Sequence, residues 1–203
     1  GMGAAEGAIF GLMGLLIAFS FSGAASRFEA RKHLITNEAN AIGTAYLRLD
    51  LLPPAVQPGL KQHMQQYVDA RLASFQGLPD TANDNTAQLQ RTIWQQSQAA
   101  CRQPEAAAAA CQLLLPALNE MFDITTTRAV ALKNHPPFVI FCMLAALSLL
   151  SALLVDFGMS PNERRNWVHI LLLAFALSMT IYVIIDLEFP RLGLIRVDTR
   201  SEE

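Results

Sequence analysis

The sequence predicts an all-α membrane protein with three transmembrane helices and a helical insert between the first and second. Two observations carry this. Charged residues make up 16% of the 203-residue chain and apolar residues 52%, against about 25% charged in ordinary soluble domains. The deficit is also concentrated. Gly7 to Ser26, Pro136 to Val155 and Asn166 to Ile185 are each 20 residues long without a charged side chain, and about 20 residues cross the hydrocarbon core of a bilayer as a helix. Buried helices of a soluble bundle are the alternative, but those keep a polar stripe, and Val139 to Val155 has only two serines.

The chain divides accordingly into a first transmembrane helix (1–26), a helical insert (27–135), a transmembrane hairpin (136–186) and a tail (187–203). The first span carries Gly3, Gly7 and Gly11 at helical spacing. This small-xxx-small pattern lets helix backbones approach closely in lipid, either within the chain or between copies. A bulkier face holds Phe10, Ile17, Phe21 and Phe28. The span lacks a basic leader and runs straight into charged helical sequence, which argues against a signal peptide.

No proline interrupts Ser26 to Leu52, so one long helix leaves the membrane and ends before Pro53-Pro54. A second helix spans Gln57 to Gln76, with Leu60, Met64, Tyr67, Val68, Arg71, Leu72 and Phe75 along one stripe. Gly77 to Asp84 reads as a polar turn. A Gln-rich third helix covers Asn85 to Ala100, anchored by Leu89, Ile93 and Trp94. A fourth opens at Pro104 and Glu105, residue types favoured in a first turn, and runs to Leu132 with a kink at Pro116. Asp156 to Arg165 is short enough to make the last two spans an antiparallel hairpin. The segment after Asp186 is amphipathic and suits the membrane surface.

Lys and Arg set orientation. Arg27, Arg31, Lys32, Arg128, Lys133, Arg191, Arg196 and Arg200 fall on one side, and Arg164 and Arg165 on the other. The insert and C-terminus are therefore expected in the cytoplasm, with the N-terminus outside unless a further helix precedes it. Cys101 and Cys111 are then expected to stay reduced, and Cys142 to pack within its span.

The net charge of −2 gives no basic excess pointing to nucleic acid. No nucleotide-binding, nucleophile-elbow or zinc-protease motif occurs, and the four histidines are too dispersed to share a metal. The expectation is therefore no enzyme, no cofactor and no metal. No ionisable residue lies mid-span, which argues against a proton-coupled pump and leaves a passive pore with an apolar constriction open. Two polar clusters stand out. Glu38, Asn40 and Thr44 lie on the first helix. Asn119, Glu120, Asp123, Thr125, Thr126, Thr127 and Arg128 lie on the fourth, with Asn119, Asp123 and Thr127 on one face. These residue types suit ion selection or cation binding in a pore, but more often serve hydrogen bonding between buried helices.

Phe19 to Lys32, Asn37 to Pro53, Leu115 to Arg128 and Asp186 to Asp198 together resemble the bacterial bestrophin-like domain family, nearly end to end. The resemblance implies a homo-oligomeric, pentameric ion channel of the bacterial inner membrane, passing small inorganic ions through a pore lined by the first helix and its cytoplasmic extension. It implies a constriction at Phe10, Ile17, Phe21 and Phe28, with Ser20 and Arg27 at the mouth. Arg27 and Arg31 would favour anions, and Glu38, Glu120 and Asp123 cations. Bestrophins have four membrane helices where three are counted here, and relatives carry a further hydrophobic helix upstream. Asp186, Glu188 and Asp198 are too scattered for a calcium clasp. The alternative is a non-conducting scaffold or sensor that binds a protein partner through its cytoplasmic helices.

Overall fold

The computed structural model describes residues 2–75, 81–158 and 167–189. Among these residues there is no strand. Six helices follow one another: α1 (Met2–Arg48), α2 (Gln57–Phe75), α3 (Thr81–Cys101), α4 (Ala108–Lys133), α5 (Phe138–Gly158) and α6 (Trp167–Glu188). Three helical stretches, Gly7–Leu51, Ala108–Leu154 and Leu171–Glu188, are long and apolar enough to cross a membrane. The second takes in α4 and α5, which part at residues 134–137. Its uncharged run is α5 as far as Val155, because α4 carries Glu120, Asp123 and Arg128.

α1 is continuous for 47 residues. A single 3₁₀ turn, Leu49–Leu51, closes it, and Leu52 is extended at φ −81°, ψ 163°. That is the conformation a residue before proline is pushed into. Two differences from the expected helices have local causes. The residues Pro104 and Glu105 lie in the turn before α4 rather than in its first turn. The turn is tied by Cys101 and Cys111, whose Cα atoms are 5.8 Å apart in a disulfide. This overturns the expectation that both thiols stay reduced. Cys142 is exposed, not packed inward. Of the expected turn at Gly77 to Asp84, residues 81–84 instead form the start of α3, while the rest of it, most of the loop between α5 and α6, and the tail beyond Phe189 lie outside the described residues.

The chain forms two compact units. One comprises residues 33–130. Its core is shared by all its helices: Ala41, Ala45 and Leu49 at the end of α1, Leu60, Met64 and Tyr67 of α2, Leu89 and Ile93 of α3, and Leu114, Leu118 and Met121 of α4. Each set repeats at three, four or seven residues, so each helix turns one stripe inward. Tyr67 and Trp94 each meet Phe122 in a T-shaped contact. Leu72, expected on the α2 stripe, is exposed.

The other unit comprises residues 1–32 and 131–203 and, because it holds the start of the chain, is called the first unit, residues 33–130 being the second. Ala24 is wholly buried against Ile184 and Leu187 of α6, with Ile17, Phe28 and Val183 alongside. The Ser151 hydroxyl of α5 reaches Met13 Sδ at 3.3 Å. The remaining surface is apolar: Phe19, Leu149, Leu171 and Phe175 are each about two-thirds exposed. Water would penalise such a face heavily, whereas lipid accommodates it.

Candidate functional site

The chemistry of α1 begins with a line of buried positions seven residues apart: Ala24, Arg31, Glu38 and Ala45. Seven residues are close to two helical turns, so one face carries all four. Two of them are charged, and an isolated buried charge is too costly to keep. Each has recruited partners within its own unit.

Arg31 belongs to the first unit and is 5% exposed. Its Nη1 donates to the Glu188 carbonyl oxygen at 2.9 Å, and its Nη2 to the Asn134 carbonyl at 3.1 Å. Its Nε donates to the Ala131 carbonyl at 3.3 Å. These carbonyls lie in or just past the last turns of α4 and α6, where helices leave oxygens unsatisfied. A cation there also meets the negative end of the helix dipole. Arg31 is thus a shared cap for two helix ends.

The Glu188 side chain is fully buried. Arg27 Nε approaches its Oε2 at 2.9 Å, Arg31 Nη2 its Oε1 at 3.4 Å, and His135 Nδ1 the same Oε1 at 3.1 Å. The His135 ring stacks on Phe189 with centroids 4.7 Å apart. With these partners Glu188 has no open side left for a cation.

Glu38 forms the second cluster. Arg71 Nε donates to its Oε1 at 2.6 Å, and Arg128 pairs with its Oε2. Burial raises the pKa of Glu38, but the hydrogen bonds and charges of Arg71 and Arg128 outweigh it, so the carboxyl titrates below its ordinary value of 4.5. Each cluster is therefore one buried carboxylate between two guanidiniums.

A cavity of about 150 Å³ lies in the first unit, lined by Leu16, Phe19, Ser20, Gly23 and Arg27 of α1 and by Pro136, Ile140 and Phe141. Apart from Ser20 and Arg27 its lining is apolar.

The residues singled out from sequence are distributed as follows. Ile17 and Phe28 pack towards α6, Phe10 is half-buried and Phe21 is 44% exposed. Ser20 and Arg27 meet at the cavity. The four residues Asn119, Glu120, Asp123 and Thr127 stay together on an exposed face of α4, where Asn119 donates to Asp123 at 3.1 Å. Arg128 leaves that group for Glu38. A Cβ added at Gly7, Gly11 or Gly14 would meet nothing within 4 Å; the surroundings of Gly3 are outside the described side chains. Among the described residues no group of acids, histidines or cysteines could hold a metal.

Sequence reasoning missed Arg71, His135 and Glu188 as partners. Arg71 had a signal, since it interrupts an apolar stripe at core register. Glu188 had a weaker one, as a second acid just past an uncharged span. Nothing in the sequence tied it to Arg27, 161 residues away.

A family model described as Bestrophin-like domain matches residues 7–201. No curated protein and no solved structure matches the chain.

Proposed function

The chain belongs to the bestrophin-like domain family, and from that premise we propose that it is a homo-oligomeric ion channel whose subunits meet along α1. The observation that carries this reading is the open space over Gly7, Gly11 and Gly14. Glycine weakens a helix by about 1 kcal/mol relative to alanine, and here the chain itself gains no close packing in return. A second helix backbone would supply that packing in lipid. At 100° per residue, Phe21 falls beside this glycine face, and Phe10 falls near Phe21. Copies of α1 arranged around an axis would thus bring a phenylalanine ring to the lumen, an apolar constriction of the kind that gates by dewetting. Ile17 and Phe28 are partly engaged with α6 and contribute less. The charges of Arg31 and Glu38 are already compensated, so ion preference falls to residues outside the two buried clusters. The expected assembly is a ring of about five, in the bacterial inner membrane.

The orientation follows the Lys and Arg asymmetry, with the insert and C-terminus in the cytoplasm. The Cys101–Cys111 bond pulls the other way, because disulfides persist in oxidising compartments. We give the charge asymmetry precedence for the orientation, because it acts while the chain is being inserted.

The test is ion flux from liposomes holding the purified protein, with chloride and potassium gradients applied separately and Phe21→Ala alongside. Flux that rises in the variant supports the constriction. No flux from either protein, with the oligomer intact, favours a non-conducting scaffold. The exposed polar face of Asn119, Glu120, Asp123 and Thr127 would then be the surface to probe for a protein partner.

A further inference from the structure

We propose that the cavity bounded by Ser20, Gly23 and Arg27 holds the headgroup end of an anionic phospholipid. Four observations carry this, and none depends on conduction. The first is depth. Arg27 is the first charged residue after an uncharged run of 20, and Pro136 opens the next such run. The cavity therefore spans the level where hydrocarbon gives way to headgroups.

The second is the disposition of Arg27. Among the described residues its guanidinium bonds Glu188 through Nε alone. Its Nη1 and Nη2 lie over Gly23, where a Cβ would come within 3.2 and 3.5 Å. Gly23 is thus the floor that lets the fork lie flat at the cavity, with N–H donors left for a phosphate. Planar, bidentate recognition of phosphate is what a guanidinium does best.

The third is charge. Arg27 and Arg31 both approach the one carboxylate of Glu188, and Arg27 is the charged residue that lines the cavity. Basic pockets between membrane helices are established binding places for anionic lipid heads. The fourth is shape. From Arg27 the lining continues through Ser20 to Phe19, Leu16, Ile140 and Phe141. This gives one polar end and an apolar wall along about 16 Å of α1, the division found in a lipid.

A second copy is a poorer occupant. At 100° per residue the cavity residues lie on the opposite side of α1 from Gly7, Gly11 and Gly14, so copies joined at the glycines leave the cavity uncovered. The uncharged spans also carry no carboxylate to offer Arg27. The assignment removes Arg27 from the pore mouth and makes it a lipid ligand.

The experiment is native mass spectrometry of the full chain from micelles containing phosphatidylglycerol or phosphatidylcholine. Inorganic phosphate is tested separately, as a competitor and as a thermal stabiliser. Two variants are used: Arg27→Gln, which also touches Glu188, and Ser20→Leu, which fills the cavity and leaves every ion pair intact. Phosphatidylglycerol should bind about tenfold better than phosphatidylcholine. Each variant should lose that preference, with Ser20→Leu keeping its helicity, and inorganic phosphate should neither displace the lipid nor stabilise the protein. Equal binding of the two lipids, or undiminished preference in Ser20→Leu, overturns the proposal. Stabilisation by inorganic phosphate alone also overturns it and makes the cavity a small-anion site.

Discussion

Arg31 holds Glu188 by its main chain and its side chain at once: Nη1 is 2.9 Å from the carbonyl oxygen and Nη2 is 3.4 Å from Oε1. A single guanidinium thereby satisfies a helix end and compensates a buried acid. Removing one partner of a buried pair costs about 3–5 kcal/mol, mostly through the charge left behind. Arg31→Met is accordingly expected to lower the melting temperature in detergent by about 10 °C. Arg31→Lys should fall between, because it keeps the charge but cannot reach several carbonyls in a plane. Equal melting of Arg31→Lys and wild type would show that the fork geometry is dispensable.

Acid should weaken the second unit through Glu38. Its pKa is depressed in the folded protein, so the folded state holds the ionised form more tightly than the unfolded chain does. That contribution is present above the ordinary value of 4.5 and is lost as pH falls through the lower folded value. Glu38→Gln should therefore melt lower than wild type at pH 7, and the two should converge as pH falls below 4.5 and through the lower folded value. A constant gap between the two melting curves across that range would count against the assignment.

Reduction should loosen the corner between α3 and α4. The bond Cys101–Cys111 closes a separation of 10 residues, for which the loop-entropy account gives about 2–3 kcal/mol. Cys101→Ser with Cys111→Ser should melt lower than the oxidised protein and match the reduced one. Alkylation of the two thiols in intact cells and in lysates reports their compartment as well. Under the cytoplasmic orientation, a membrane-impermeant reagent reacts with them only after lysis and reduction.

The glycine face is expected to govern assembly but not folding. Gly7→Leu with Gly11→Leu meets no atom of its own chain near the Cβ positions, so helicity should be unchanged. The proposed ring should be lost, as read by light scattering in detergent against the wild-type chain. An intact oligomer in this double variant would move the subunit contact elsewhere.

The helices were largely legible because hydrophobic period, proline position and the absence of charge act locally. Leu52 before Pro53 marks the end of α1 in sequence as plainly as in structure. The clusters were half legible. Glu38 and Arg128 stood out as polar residues on otherwise apolar helices, but pairing depends on which faces turn together. That is why Arg128 separates from Asn119 and Asp123 despite sharing their segment. Charge counting alone also failed at Cys101 and Cys111. It addresses the compartment, whereas their pairing reflects a turn that brings two helix ends together.

The capping by Arg31 also has a consequence in time. Its partners Asn134 and Glu188 follow it by 103 and 157 residues. At ribosomal rates of about 5–20 residues per second, the guanidinium waits roughly 8–30 s for the end of α6 to be made. Throughout that interval its burial is unfavourable, so the first span has no stable seat until the last has arrived. A nascent chain stopped short of Glu188 has the Arg31 contacts to Ala131 and Asn134 but lacks both the carbonyl and the carboxylate that Glu188 supplies.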